Sequence, residues 1–231
     1  VIGVTGHTGH LGQEILRLLP DAHGIGREIP KTRFDCIIHT ACANWRDEKD
    51  VALFDLFNDQ LCRHIYQTRP TTVINLGSWW QYAEGNCRDL SYTLQKHRQT
   101  RALHAVHPNL VTLIPYSIYG NEPRPGRGFI PQLINTINTG QPLTGLSNQP
   151  RDFIHVSDVA AACITALTAP PGIYMIATGQ TNTPRRLAEN HGVTAPDYNE
   201  HPNAYPVYIH DFVPNWQPAV NVHEHIADAI R

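Results

Sequence analysis

The chain has no C-x-x-C pair, and its five cysteines (Cys36, Cys42, Cys62, Cys87 and Cys163) are odd in number and scattered. A disulfide framework and a zinc ribbon are therefore excluded. Thiols used this way suit a reducing compartment, where they serve as small core residues, and a cytoplasmic setting is expected. No apolar run exceeds the length of a strand, so neither a membrane span nor a signal peptide is expected, and no membrane partner. No block of basic residues appears either: 18 Lys and Arg face 20 Asp and Glu, for a net charge of −2 with histidines neutral. Nucleic acid is thus not expected as a partner, because binding a phosphate backbone needs a clustered positive face. The 14 histidines include the close pairs His7/His10, His104/His107 and His223/His225. None of these pairs has a Cys or carboxylate set at ligand spacing, so no metal is expected. The chain opens on Val1 rather than Met, which suggests that a few residues have been trimmed.

What is present is a patterned α/β sequence. The 231 residues, 41% hydrophobic and 16% charged, suffice for one large domain or one domain with a small appendage. Short apolar runs at 1–6, 22–27, 34–41, 71–78 and 109–117 read as strands. Between them, 11–19, 51–67 and 92–106 have helical period. Strands alternating with helices imply a Rossmann-type, doubly wound parallel sheet. The second half differs. A Pro/Gly loop at 120–128 leads to a helix closing on Gly140, a strand and helix at 151–167, a strand at 172–179, and a helix at 185–192. A tail from Pro196, rich in Pro, His and Asn, ends in a short helix. This predicts a dinucleotide-binding core mainly in 1–120 and a small substrate-binding portion mainly in 121–231, with 151–179 returning to the core.

"TGHTGHLG" places Gly6, Gly9 and Gly12 at G-x-x-G-x-x-G spacing, after a strand and before a helix. Gly6 allows the tight turn, Gly9 the approach of a pyrophosphate, and Gly12 close packing of helix on strand. Thr8, His10 and Leu11 complete the loop at a helix N-terminus, whose free N–H groups favour an anion. A ligand-free glycine turn is the competing reading. At the end of the second strand, where an acid would hold a ribose 2′-hydroxyl, the chain has Arg27 followed by Glu28. A guanidinium there suits a 2′-phosphate, so NADP(H) is favoured as cofactor, with NAD(H) possible because Glu28 can turn toward the ribose.

Tyr92 and Lys96 stand one helical turn apart, so both project from one face. A phenol, with an ordinary pKa of about 10, exchanges protons poorly at neutral pH unless a cation stabilises its phenolate. Lys96 would supply that charge and hold the nicotinamide ribose. Ser78, at the end of the fourth strand, would hydrogen-bond the reacting oxygen, and Tyr92 would handle the proton. Y-x-x-x-K alone is a weak signal, since "KHRQTR" can simply be a solvated helix face. The order of glycine loop, strand-end Ser, then Tyr and Lys adds weight.

Together, "TGHTGHLG", "HTA" (39–41), Ser78, Tyr92/Lys96, "YSIYG" (116–120) and "RDFIHVSDV" (151–159) resemble the extended short-chain dehydrogenase/reductase superfamily. Within it, the chain is similar to the nucleotide-sugar epimerase/dehydratase/reductase branch. The resemblance implies that Ala41 lies against the cofactor, that Arg151 reaches a substrate diphosphate, and that Ser117 and Phe129 meet the nucleotide-sugar. "RDFIHVSDV" can also be read as a strand leading into a helix capped by Ser157 or Asp158. The family's 4,6-dehydratases place Asp–Glu after the active-site hydroxyl residue. Trp79 and Trp80 stand there instead, and an indole carries no proton for elimination. "LGSWWQY" also resembles the abequose-synthase type of 4-keto-sugar reductase, in which the tryptophans would wall a deoxygenated sugar face. Equally, they can be core or a dimer contact. The resemblance thus implies an NADP(H)-dependent reductase of a nucleotide-linked 4-keto sugar. A 4-epimerase with tightly bound NAD is the alternative enzyme, and a non-catalytic NADP-binding sensor the alternative of another class. It also implies a homodimer through roughly 51–67 and 92–106. Two departures from the family stand out: 27–35 leaves little room for the usual strand and helix, and the span from Ser78 to Tyr92 is compressed.

Overall fold

The computed structural model describes residues 1–43, 47–82, 90–120, 128–143, 149–194, 208 and 210–230. The compressed span after Ser78 (83–89), most of the Pro/Gly loop (121–127) and the Pro-, His- and Asn-rich tail (195–207) lie outside the described residues. In chain order the first elements are β1 (Ile2–Thr5), α1 (His10–Leu18), β2 (His23–Ile25), β3 (Cys36–His39), α2 (Glu48–Thr68), β4 (Thr72–Leu76) and α3 (Leu90–Val106). They continue as β5 (Leu110–Pro115), β6 (Ser117–Tyr119), α4 (Phe129–Thr139), β7 (Arg151–His155) and α5 (Val156–Thr165). The last are β8 (Gly172–Ile176), β9 (Thr181–Asn182), α6 (Pro184–Asn190) and α7 (Val222–Ala229).

Six strands form a parallel sheet in the order β2-β1-β3-β4-β5-β8. A parallel strand is covered on both faces and so reads as a continuous apolar run, as in Ile37–Ile38, Val73–Ile74 and Leu113–Ile114. On one face α1 and α5 pack together over Val4, Ile15, Ile38, Ile74 and Val159. On the other, α2 and α3 cover Ile37, Val73, Leu61, Ile65 and Leu103. Each fully buried aliphatic side chain of this kind contributes about 1.5–3 kcal/mol. The winding reverses between β1 and β3, which makes their C-terminal ends the switch point where α/β sheets bind ligands. Residues 26–35 hold neither strand nor helix, so β2 is the sheet's edge. Phe34, 1% exposed, closes the core beneath that loop.

The expected strand at 109–117 is two strands. Tyr116 N still donates to Ile176 O (3.2 Å), but Ser117 pairs with Phe153, so the chain changes sheets there. β6 runs parallel to β7, and β7 antiparallel to β9. Around this small sheet α4, α6 and α7 bury Phe129, Leu133, Leu187 and Ile226 with Tyr119 and Phe153. Residues 156–176, by contrast, belong to the main sheet and its cover.

The cap of α5 is a correction. It is His155, not Ser157 or Asp158, because the helix starts at Val156 directly from β7 and leaves no residue between. Nδ1 of His155 accepts from Ser157 N (3.3 Å) and from the Ser157 hydroxyl (2.7 Å). Asp158 instead accepts from Ala219 N and Val220 N (both 3.0 Å) and fastens the segment leading to α7. Asp152 is fully buried and accepts from Thr178 N, the Thr178 hydroxyl, Gly179 N and the Tyr208 hydroxyl. These four donors replace the water its carboxylate lost on burial. The cysteines depart in part from the core expectation: Cys163 is buried, Cys36 and Cys62 half-buried, but Cys42 is exposed. Among the described residues no helix is long and apolar enough to cross a membrane, and no cluster of three or more His, Cys, Asp or Glu is placed for a metal ion.

Candidate active site

The glycine loop joins β1 to α1. Gly6 has φ +67°, and a Cβ on it would stand 2.7 Å from Ala41 N and 2.8 Å from Ala41 Cα. Glycine at position 6 therefore serves two needs: a left-handed turn, and contact with the loop leaving β3. A Cβ on Gly12 would collide with the carbonyl of Gly6, so α1 can start against the loop only if that position is bare. Gly9 caps α1 without a side-chain hydrogen bond, and the first turn carries no acid. Gln13 N takes Gly9 O, which leaves the N–H groups of His10, Leu11 and Gly12 directed out of the helix end. Of these residues, His10 sends its ring to the carbonyl of Gly120, and Leu11 packs against the main core.

Beside the loop lies a cavity of about 390 Å³, lined by Gly6, His7, Thr8, Arg27, Ala41 and Cys42, with Asp50, Phe54 and Phe57 contributed by α2. It sits at the switch point and is lined by four of the residues expected from the sequence to bind cofactor, Gly6, Thr8, Arg27 and Ala41; Glu28 is not among its lining residues. The bare glycine cradle, the uncapped helix end and the cavity beyond it fit a dinucleotide. Gly6, Thr8 and the α1 N–H groups would hold its pyrophosphate, and Arg27 the adenosine ribose.

A chain of hydrogen bonds fixes the two loops. Thr40 Oγ1 donates to Thr5 O (2.7 Å), and Ala41 N donates to Thr5 Oγ1 (3.3 Å). Thr5 Oγ1 also lies 2.6 Å from His39 Nδ1, and His39 Nε2 lies 3.1 Å from Asn58 Oδ1. Because Asn58 Oδ1 can only accept, His39 carries its proton on Nε2 and accepts the Thr5 hydroxyl at Nδ1. Complete burial, then the charge of Lys96, pushes the His39 pKa down to about 3, so the ring is neutral.

Lys96 reaches the end of β4, just before Ser78. Lys96 is 3% exposed and donates to Leu76 O (2.8 Å) and Gln99 Oε1 (3.4 Å). Burial pushes its ammonium below the ordinary lysine range, partly opposed by Cys42. Leu76 lies two residues before Ser78, which is 6% exposed and opens the 3-10 turn Trp79–Tyr82. Gln81 Oε1 accepts from Ser78 N (2.8 Å), and Gln99 Nε2 donates to Asn75 Oδ1 (2.7 Å). Asn75 Nδ2 in turn donates to Thr100 Oγ1 (3.0 Å). This amide network locks α3 to β4 and so fixes where Lys96 ends. Tyr92 lies one turn earlier on α3, half-buried.

The tryptophans are stacked. Trp79, 6% exposed, lies 4.2 Å from Trp80 and 5.8 Å from Tyr116 between ring centroids. Tyr116 continues to Tyr208 (5.3 Å), whose hydroxyl reaches Asp152. Trp79 is thus inside a small core with Ile114 and Met175, while Trp80 is half-buried on its outer side. Ser117, at the start of β6, and Arg151, at the start of β7, are both half-buried. Phe129 is core, its ring tilted against Phe153 at 5.8 Å. Sequence reasoning missed the Gln81, Gln99 and Thr100 network, although Gln99 and Thr100 sit three and four residues after Lys96, on its helical face. It also missed His7, Cys42 and the α2 side of the cavity.

No curated protein matches the chain. Among solved structures, the Bordetella bronchiseptica enzyme WbmG, in complex with NAD and UDP, is 18% identical over 98% of this chain and 92% of that one, with a TM-score of 0.75. The UDP-N-acetylglucosamine 4-epimerase of Methanobrevibacter ruminantium is 19% identical over 99% and 96%, at 0.74. The UDP-glucose 4-epimerase of Thermotoga maritima is 15% identical over 99% and 97%, at 0.78. At these identities the likeness carries the fold, a Rossmann-type sheet. The sequence itself, over residues 27–177, matches the NAD dependent epimerase/dehydratase family, and the chain belongs to that family.

Proposed function

We propose that this protein reduces a nucleotide-linked 4-keto sugar with NADP(H), through Ser78, Tyr92 and Lys96. The observation that carries the reading is the buried Lys96 ammonium, held by neutral acceptors at the end of β4, two residues from Ser78 and one turn from Tyr92. A buried cation without a carboxylate beside it among the described residues is costly and marks a working site rather than a stabilising pair. Lys96 lowers the proton affinity of the Tyr92 phenolate. Ser78 orients the carbonyl oxygen, and Tyr92 gives that oxygen its proton. A bound nicotinamide would supply the hydride to the carbonyl carbon. Trp80, backed by Trp79, offers an apolar wall beside Ser78. Arg151, Ser117 and Phe129, in the portion we assign mainly to 121–231, belong to the nucleotide-diphosphate side.

Arg27 in the cavity favours NADP(H), and the bare edge at β2 suits a cofactor exchanged at each turnover. A second reading is a nucleotide-sugar 4-epimerase with tightly bound NAD. Asp50, an acid that lines the same cavity, favours it, as do the neighbours described above as epimerases. A non-catalytic sensor is disfavoured by the complete Ser, Tyr and Lys set. The free thiols among the described residues accord with a cytoplasmic setting, and exposed Leu94 on α3 with a homodimer.

Single-turnover hydride transfer in Tyr92→Phe tests the chemistry. The expected loss is about 100-fold or more, the range of general acid catalysis. A rate equal to that of the unaltered protein would refute the mechanism. Nucleotide that stays bound through gel filtration and is not consumed would select the epimerase.

A further inference from the structure

We propose that Cys42 is a site of reversible oxidation: a hydroperoxide converts its thiol to a sulfenic acid held by Gln95, which weakens cofactor binding in the adjoining cavity. The effect on binding rests on the cofactor reading above; the oxidation site does not.

Among the described residues four cysteines are free, and their surroundings differ. Cys163 is fully buried on α5, and burial pushes its thiol up to about 12. Cys62, half-buried on α2, is pushed up to about 11 by burial and by the charge of Asp59. Both stay protonated at neutral pH, and a thiol must lose its proton to attack. Cys36 is half-buried in β3, paired on either side by Ile2 and Thr72. Cys42 is the exposed one of the four, and it lines the cavity of about 390 Å³ beside the glycine loop.

Exposure alone makes no site. The second observation is the side chain of Gln95, which is 5% exposed and sits on α3 next to Lys96. Its Oε1 lies 3.8 Å from Cys42 Sγ, and the Ala43 carbonyl oxygen lies 3.4 Å from the same sulfur. Both oxygens accept, which suits a thiol S–H. Nε2 of the Gln95 amide is buried with no hydrogen-bond partner among the described residues. A buried N–H left unpaired is costly and is rarely kept without a use. A half-turn of the amide brings Nε2 to the place of Oε1, facing Sγ. An oxygen atom added to Sγ then supplies the acceptor that Nε2 lacks.

In the reaction Sγ attacks the terminal oxygen of a hydroperoxide R–O–OH. The S–O bond forms, the O–O bond breaks, and the thiol proton leaves with the alcohol R–OH. Cysteine is oxidised by two electrons, the hydroperoxide is reduced by two, and Cys42 becomes Cys–S–OH. A low-molecular-weight thiol reverses the change: one molecule forms a mixed disulfide and releases water, and a second releases Cys42. The oxidised wall carries an extra heavy atom where a bound cofactor packs, and an added atom weakens a fitted contact. A bound cofactor in turn shields Sγ from the hydroperoxide.

The test treats the full chain with hydrogen peroxide, traps sulfenic acid with dimedone and locates the adduct by peptide mass spectrometry. Parallel samples are titrated with NADPH and with NADH by fluorescence before treatment, after it, and after dithiothreitol. The adduct should form on Cys42 ahead of the other cysteines, and more slowly when the cofactor is saturating. Affinity should fall about tenfold on oxidation and return with dithiothreitol. Cys42→Ser, compared with its own untreated sample, should show no such fall. Gln95→Leu, checked by its melting curve, keeps the thiol without the amide; its adduct yield should drop several-fold as Cys42 runs on to sulfinic acid. Adduct forming first on another cysteine overturns the proposal, as does undiminished affinity with Cys42 oxidised. An unchanged yield in Gln95→Leu overturns the role of Gln95. An untreated chain that binds neither nucleotide overturns the cofactor reading and the effect on binding, while the adduct map still decides the oxidation site.

Discussion

His39 offers the sharpest quantitative test, because its burial is complete and its partners are known. It sits between Thr5 and Asn58 with its folded-state pKa pushed down to about 3. Unfolded, the same imidazole titrates near pH 6.5, so between these two values the unfolded chain binds a proton that the folded chain refuses. The stability contributed by neutral His39 is therefore present above about pH 6.5 and is lost as pH falls toward about 3, at up to ~1.4 kcal/mol per pH unit. From pH ~7 to pH ~5 the loss comes to about 2 kcal/mol. Burial also lowers His64, His107, His155, His191 and His225, and the unaltered protein feels their titrations as well. Comparison with His39→Gln cancels them.

Urea unfolding followed by tryptophan fluorescence gives the numbers, since Trp79 and Trp216 are buried reporters in two different clusters. Removing the ring destabilises the variant at neutral pH by some amount that need not be known. The expected result is that its gap to the unaltered protein narrows by about 2 kcal/mol between pH ~7 and pH ~5. A gap unchanged to within about 0.5 kcal/mol would show that His39 does not stay neutral in the fold, and the tautomer argument for the Thr5–Ala41 clamp would fail.

Gly120 has φ +93°, and a Cβ there would run into His155 Nε2. Gly120→Ala should cost about 3 kcal/mol or more in thermal unfolding, and His155→Ala should recover part of it because the two share one space. Recovery of nothing would mean that backbone strain alone sets the cost. If α3 forms a dimer face, Leu94→Glu, on a side chain 44% exposed, should shift the mass measured by light scattering from dimer to monomer without lowering the melting temperature. A monomeric unaltered protein would remove the dimer.

The parallel core was legible because its central strands are apolar runs between segments of helical period; Ile37–Ile38 and Val73–Ile74 leave no other reading. The edge at β2 was legible for a simpler reason: 27–35 is too short for another crossover. What the sequence hid were choices made by tertiary contact. "NLVTLIPYS" has no break in polarity, and only the pairing of Ser117 with Phe153 divides it. Asp158 has the spacing of a cap and is drawn instead to two amides some sixty residues later, a partnership that no local pattern announces.

The same division runs through the candidate site. Gly6, Arg27 and Ala41 share the cavity, and Lys96 reaches the end of β4, because these positions follow from strand ends and from one turn of helix. Trp79 does not follow that logic. Its sequence neighbour Ser78 points it at the substrate side, yet stacking on Tyr116 buries its ring, and an indole gains more from a full stack than from a half-wet wall. Trp80 is left as the side chain able to face a ligand, with Trp79 holding it in place. The indoles can then exclude water beside Ser78 only as a pair. A change at buried Trp79 should disturb the site through Trp80, which a comparison of each tryptophan's replacement in one binding assay would reveal.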